Sequence, residues 1–197
     1  MRDLKDRPGR FAYADPPYLG CGHRYPEKQE IDHAALIARL VEEFPDGWAL
    51  SCHSPSLRIL LALVPDVTRV MAWVKPFCSF KPGVGVAYAW EPLLVCGGRR
   101  RTRRQLTVRD WCAANITLRR PVIGAKPDAF CYWLFGVLGL RANDEFHDLF
   151  PGSGAVIRAW EQWRQQPEIP YALPGRRPRP GTLLPEEVLI EVGRAGR

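Results

Sequence analysis

The chain has 197 residues, 46 % of them hydrophobic, with seven tryptophans and a formal net charge of +7. That length accommodates one full α/β domain with a sizeable core and is too short for a comfortable second one. Three classes are not expected: a helical membrane protein, because no run approaches the roughly 18 apolar residues of a spanning helix; a secreted one, because no basic stretch followed by an apolar one is visible at the start of the sequence; and a disulfide or structural zinc scaffold, because the six cysteines form no Cys-x-x-Cys pair.

A cytoplasmic protein is therefore expected. In chain order, Arg10-Phe11-Ala12 has the aromatic and small apolar residues of a buried strand, followed by Tyr13-Ala14-Asp15-Pro16-Pro17-Tyr18. Prolines cannot continue a ladder, so the strand stops there with its backbone held at φ about −65°. The corner this makes offers the Asp15 carboxylate, proline carbonyls without a sheet partner and the flat face of Tyr18. Together these groups can hold an amine and stack a planar ring. Leu19 to Glu30 reads as a polar loop, and Asp32 as the N-cap of a helix over about His33 to Phe44.

After the turn at Pro45-Asp46-Gly47, Trp48 to Ser51 reads as a second buried strand. Ser54-Pro55 opens a helix running to about Val64, and Thr68 to Val74 is a third strand. Strand and helix alternating at this spacing predict crossover units in a parallel sheet, whose ligands bind beyond the carboxyl ends of the strands. Asp15 stands at such an end. Trp90 to Gly98 reads as another strand. With no helical segment between it and the third, the two are expected to form an antiparallel hairpin at the sheet edge. Lys126-Pro127 introduces an apolar helix over about Asp128 to Leu138, stopped by Gly139. Glu145 to Phe150 is a short strand feeding the tight turn Pro151-Gly152-Ser153-Gly154, and Ala155 to Trp163 is the helix leaving it. Residues 1–163 form the expected domain, and 164–197, rich in proline and arginine, a loosely packed tail.

The positive charge is concentrated. Arg99, Arg100, Arg101, Arg103 and Arg104 fall within six residues, with Arg119 and Arg120 close behind. This density, and arginine rather than lysine, suits phosphate and makes residues 99–123 an expected small basic insert for nucleic acid. His33, His53 and His147 have no legible acid or nucleophile partner. Ser51 reads equally as support for a pocket and as a satisfied strand-end hydroxyl.

The turn at Gly152-Ser153-Gly154 is a place where backbone comes close to a ligand at a helix N-terminus. It lacks the Gly-Lys-Ser/Thr of a phosphate loop, and Ile157 stands where a dinucleotide fingerprint would place its third glycine. A nucleoside-like ligand without phosphates fits it better. Taken together, Asp15-Pro16-Pro17-Tyr18 and Asp148-Leu149-Phe150-Pro151-Gly152-Ser153-Gly154 resemble the two signature motifs of S-adenosylmethionine-dependent amino-methyltransferases acting on nucleic acid bases. The catalytic motif comes first and the cofactor motif late, as in the permuted β-class order. Trp73-Val74-Lys75-Pro76 with Trp90-Glu91 resembles the family's hairpin region, and Lys126-Pro127 with Phe130 the segment before the cofactor loop.

The resemblance covers roughly residues 10 to 163 and implies a Rossmann-like three-layer fold. It assigns Asp15, Pro16, Pro17 and Tyr18 to catalysis. Asp15, Lys126, Phe130, Asp148, Phe150, Gly152, Ser153 and Gly154 are assigned to S-adenosylmethionine. It implies direct methylation of the adenine amine in DNA by a monomer or homodimer, with no metal. Cytosine amine, an RNA base, and a non-catalytic basic nucleic-acid-binding protein of the same fold stay open as alternatives. The family usually continues into a strand with an acidic residue for the cofactor ribose, where this chain has Arg164-Gln165-Gln166-Pro167.

Overall fold

In the computed structural model, residues 7–24, 30–78, 83–101, 105, 107–116 and 125–165 are described. Among them the chain runs β1 (Arg10–Ala14), α1 (His33–Glu43), β2 (Gly47–Ser51), α2 (Leu57–Leu61), β3 (Arg69–Val74), β4 (Trp90–Gly97), β5 (Trp111–Ala113), α3 (Asp128–Leu138), β6 (Glu145–Asp148) and α4 (Ala155–Arg164), with 3-10 turns at Gly22–Arg24 and Ser54–Ser56.

The strands make one sheet in the order β5-β3-β4-β2-β1-β6. β1 is parallel to β2 on one side and β6 on the other, and β3 is parallel to β5. β4 alone is reversed, antiparallel to both β2 and β3. The expected hairpin is thus present, one strand in from the edge: β4 lies between β2 and β3, and β5 adds an outer strand. Leu93, Leu94 and Val95 of β4 are buried on both faces, which needs a neighbour on each side. Pro92 is tolerated inside this central strand because its missing N–H falls opposite Cys52, just past the end of β2, while its carbonyl still accepts from Cys52 N at 3.1 Å.

Alternation along the strands builds the two cores. Phe11 and Tyr13 of β1 face one layer, where Phe130, Trp133, Leu134 and Phe135 of α3 and Val156, Ala159 and Trp160 of α4 pack. Ala12 and Ala14 face the other, against Leu36, Ile37 and Leu40 of α1 and Leu60 of α2. α1 starts where the Asp32 side chain accepts from Ala35 N at 3.0 Å. The segment expected to be helical from Ser54 to Val64 is shorter, because it finishes in tightened i→i+3 bonds, Ala62 N to Ile59 O and Leu63 N to Leu60 O. α4 continues one residue beyond the expected domain limit, to Arg164. The tail from residue 166 onward lies outside the described residues. No helix among the described residues is long and apolar enough to cross a membrane.

The amino ends of the strands are tied by two aspartates. Asp144 accepts from Gly9 N at 2.7 Å, Arg141 N at 2.7 Å and Arg99 Nη2 at 2.5 Å. Asp46 accepts from Arg10 N at 2.9 Å and Arg7 Nη2 at 2.6 Å, and its carbonyl takes Gly98 N. The carboxyl ends of β1 and β6 carry the Asp15 corner and the Gly152 loop.

Candidate active site

Asp15 directly follows β1, and Asp148 ends β6, the next strand over. Tyr13 is in register with Asp148, and Leu149 N donates to Tyr13 O at 2.9 Å. Two motifs more than a hundred residues apart in sequence therefore leave the sheet side by side, at a spacing of about 4.8 Å between strand axes.

The Asp15 carboxylate is 28 % exposed, and its Oδ1 lies 3.1 Å from Lys126 Nζ. Lys126, just before α3, is buried and also gives Nζ to Glu91 Oε1 at 2.6 Å. Glu91 is 4 % exposed. Its second oxygen, Oε2, accepts from Lys75 Nζ at 2.8 Å and from the Tyr18 hydroxyl at 2.9 Å. Two carboxylates and two ammoniums thus form one buried, charge-balanced cluster. The indole of Trp73 lies beneath both ammoniums, with Lys75 Nζ 4.4 Å and Lys126 Nζ 5.1 Å from its ring.

Burial raises the Asp15 carboxyl above the ordinary aspartate range; Lys126 opposes this and the Glu91 charge adds to it. Burial would also raise Glu91, but Lys126 and Lys75 overcome it and hold that carboxyl at about 2. Lys126 is kept well above the usual lysine value, because Asp15 and Glu91 outweigh its own desolvation. Asp148 differs: burial pushes its carboxyl up to about 6, eased by the Phe150 N–H and aggravated by the Asp15 charge. Its Oδ1 accepts from Phe150 N at 3.3 Å, while its buried Oδ2 has no partner among the described residues.

The glycine loop is built for close approach. Gly152 and Gly154 both have positive φ, +45° and +70°. A Cβ on Gly152 would meet nothing nearer than the Phe150 carbonyl at 3.9 Å, so open space borders this backbone. Ser153 is tied locally, its Oγ to Ala155 N at 3.3 Å and its carbonyl to Arg158 Nη1 at 2.7 Å. Phe150 packs at the margin of the α1-side core.

Several expected residues are placed elsewhere. Phe130 is 0 % exposed, wedged among Tyr13, Trp73 and Trp133, and belongs to the core rather than to an open cofactor wall. Arg99 follows β4 at the amino ends of the strands, opposite Asp15. Its guanidinium is committed to Asp144 and, at 3.2 Å, to Gly139 O, and it lies over the Phe11 ring. Arg100 is exposed at that same end, and Arg101 donates to Gly136 O. The antiparallel course of β4 carries this part of the basic segment away from Asp15. Arg103, Arg104, Arg119 and Arg120 lie outside the described residues. Ser51 proves to be a satisfied hydroxyl, sharing a 2.8 Å hydrogen bond with the buried Tyr13.

Three residues of the site carried no role in the sequence reading. Lys75 directly follows β3 and Glu91 is the second residue of β4; both fall in the segments that resemble the family's hairpin region, which is the signal that could have marked them. His53 stacks on Tyr18, with no sequence signal beyond its place just after β2.

No protein-family model matches the sequence. No curated protein matches it either. Solved structures do match in fold. The M1.HpyAVI–SAM complex aligns with a TM-score of 0.53 at 14 % identity, over 81 % of this chain and 80 % of that one. M1.HpyAVI without it gives 0.52 at 14 %, over 80 % and 78 %. TTHA0409 from Thermus thermophilus, provisionally assigned as a DNA modification methylase, gives 0.51 at 17 %, over 81 % and 80 %. The chain shares their Rossmann-like architecture, with its mostly parallel sheet and single reversed strand.

Proposed function

We propose that this chain is an S-adenosylmethionine-dependent methyltransferase acting on the exocyclic amine of adenine in DNA. The observation that carries the reading is the adjacency of Asp15 and Asp148 at the carboxyl ends of β1 and β6. One strand end presents an amine acceptor, and the next an open glycine cradle. The solved structures of the same fold add weight, one of them a complex with SAM and one assigned as a DNA modification methylase.

The residues of the cradle fit such a cofactor. The space beside Gly152 admits a ligand against the backbone, and the unpartnered Asp148 Oδ2 is an acceptor waiting for a donor. Asp148, Gly152, Ser153 and Gly154 would hold it, with Phe150 and Lys126 alongside. Bound there, S-adenosylmethionine supplies a sulfonium methyl group. The chain's own residues do the rest by position and electrostatics. The exocyclic amine is a poor nucleophile because its lone pair is conjugated with the ring. The Asp15 carboxylate and the Pro16 carbonyl accept its two N–H bonds, which grow more acidic as nitrogen attacks and turn the lone pair toward the methyl. Pro17 fixes the corner, and Tyr18 stacks on the base. A base in a duplex must first leave the stack, at a cost of a few kcal/mol.

Methylation of a ring carbon is disfavoured by the thiols. That chemistry needs a thiolate, usually after a proline; none of the six cysteines follows a proline, and burial pushes Cys52, Cys112 and Cys131 up to about 12. Phosphate contacts are proposed for the loop after Tyr18, for Arg100, and for Arg103, Arg104, Arg119 and Arg120, which lie outside the described residues. Ala114, whose N donates to Val74 O, and Lys126 both lie on the side of Asp15.

The test is transfer of labelled methyl from S-adenosylmethionine to DNA and to RNA, followed by digestion to nucleosides. N6-methyladenine from DNA supports the reading, and Asp15→Ala is expected to abolish it. A methylated cytosine amine or RNA base would redirect it. Neither transfer nor cofactor binding would overturn it in favour of a basic nucleic-acid-binding protein.

A further inference from the structure

We propose that Glu91 is a positioning residue of this site, tying the Tyr18 ring and, through Lys126, the Asp15 carboxylate into one fixed frame. The inference deepens the methyl-transfer reading and rests on it. The geometry is a chain of four contacts. The Tyr18 hydroxyl donates to Glu91 Oε2 at 2.9 Å, the other oxygen of Glu91 takes Lys126 Nζ at 2.6 Å, and the same Nζ reaches Asp15 Oδ1 at 3.1 Å; Lys75 Nζ completes the set at 2.8 Å on Oε2. The ring that would stack on a base and the carboxylate that would accept its amine thus share one anchor, and that anchor sits in a strand rather than a loop. Glu91 is paired with Trp73 in the β3–β4 ladder, so its backbone is held in the sheet.

The second consequence is electrostatic. Lys126 has two carboxylates to serve and lies nearer to Glu91. Without the Glu91 charge, both Lys126 and Lys75 would turn their field on Asp15. The Asp15 carboxylate would become a partner of lysine rather than an acceptor for a substrate amine. The other groups around Glu91 cannot take over its charge: Tyr13 from β1 is neutral with its pKa raised further by burial, Cys52 and Cys112 are held as thiols, and Asp15 is the group being served. A carboxylate that accepts from three donors while buried has its hydrogen-bonding capacity engaged, leaving it suited to holding other groups rather than to meeting substrate.

The experiment compares wild type, Glu91→Gln and the double variant Glu91→Gln/Lys75→Met for methyl transfer to an oligonucleotide across pH. In Glu91→Gln, kcat is expected to fall on the order of 100-fold, with KM for the oligonucleotide moving less than about threefold. The acid limb of the rate profile is expected to move to lower pH, because the neighbouring charge that raises Asp15 is gone. Should Glu91→Gln fail to fold, the double variant restores the charge balance and carries the test. A folded double variant that stays slow supports the proposal. A wild-type rate in either variant overturns it, as does a slow Glu91→Gln whose acid limb has not moved. If the wild-type protein itself transfers no methyl, the functional reading falls and this one with it.

Discussion

Tyr18 lies flat against His53, with ring centroids 4.8 Å apart and planes 1° from parallel. One face of the tyrosine is therefore already covered by an imidazole, whose Nδ1 shares a 2.8 Å hydrogen bond with Ser56 Oγ. On the proposed reading, the imidazole would act as a backing plate for the ring that meets the base. A base cannot enter between the two rings, because three stacked layers need about 7 Å.

Removing that face should weaken substrate binding. Tyr18→Ala is expected to cost about 1–3 kcal/mol in affinity for a single-stranded oligonucleotide, measured by fluorescence anisotropy at fixed salt. Tyr18→Phe keeps the stack and removes the hydroxyl that bonds Glu91, so its binding should stay near wild type while turnover falls.

Cofactor affinity should rise with pH through about 6, the value to which burial pushes the Asp148 carboxyl. A bound ligand carrying positive charge or an N–H donor favours the ionised carboxylate, so binding releases a proton below that pH and none well above it. Isothermal titration of S-adenosylmethionine between pH 5 and 8 reads this directly. Asp148→Asn should flatten the dependence.

The glycine cradle separates backbone cost from ligand cost. Gly152→Ala places a non-glycine residue at φ +45°, which costs about 1–2 kcal/mol, or a Tm lower by several degrees. The new methyl also enters the space reserved for the ligand, so cofactor affinity should fall on the order of tenfold or more. Gly83→Ala, at φ +77° with nothing within 4 Å of a Cβ, should show a comparable backbone cost and unchanged cofactor binding.

Arg99→Ala should act on stability rather than on phosphate binding. Asp144 is buried and would lose its charged partner while keeping two backbone donors. The expected cost is about 2–4 kcal/mol, read from urea denaturation. The salt dependence of nucleic-acid binding should change little.

Most elements were legible because their ends are chemically marked. Asp32 caps α1, Gly139 closes α3 in a left-handed conformation, and Pro16-Pro17 ends β1. The corner at Asp15 and the loop at Gly152 were legible for the same reason, since both depend on short-range sequence. What escaped depends on contacts between distant residues. β5 is three residues long with only Cys112 buried, which leaves no alternation to read. The insertion of β4 between β2 and β3 follows from its burial on both faces, which its apolar run alone does not reveal. Arg99 looked like a phosphate ligand because its partner, Asp144, lies 45 residues away. The Glu91 cluster gathers groups from β1, β3, β4 and the start of α3, and no local pattern announces such a meeting.

The two aspartates that tie the amino ends of the strands set the order in which the molecule loosens. Asp46 and Asp144 clamp the start of β1, the exit of β4 and the entry to β6 through short backbone and arginine bonds. The opposite rim carries the Asp15–Lys126–Glu91–Lys75 charge cluster beside backbone bonds such as Leu149 N to Tyr13 O. Amide protons at Gly9, Arg10 and Gly98 should exchange with solvent only when the whole chain opens, and those of the loops around Asp15 and Gly152 long before. On the proposed reading, the looser rim would be the one that admits a base and a cofactor, while the base of the sheet keeps its register.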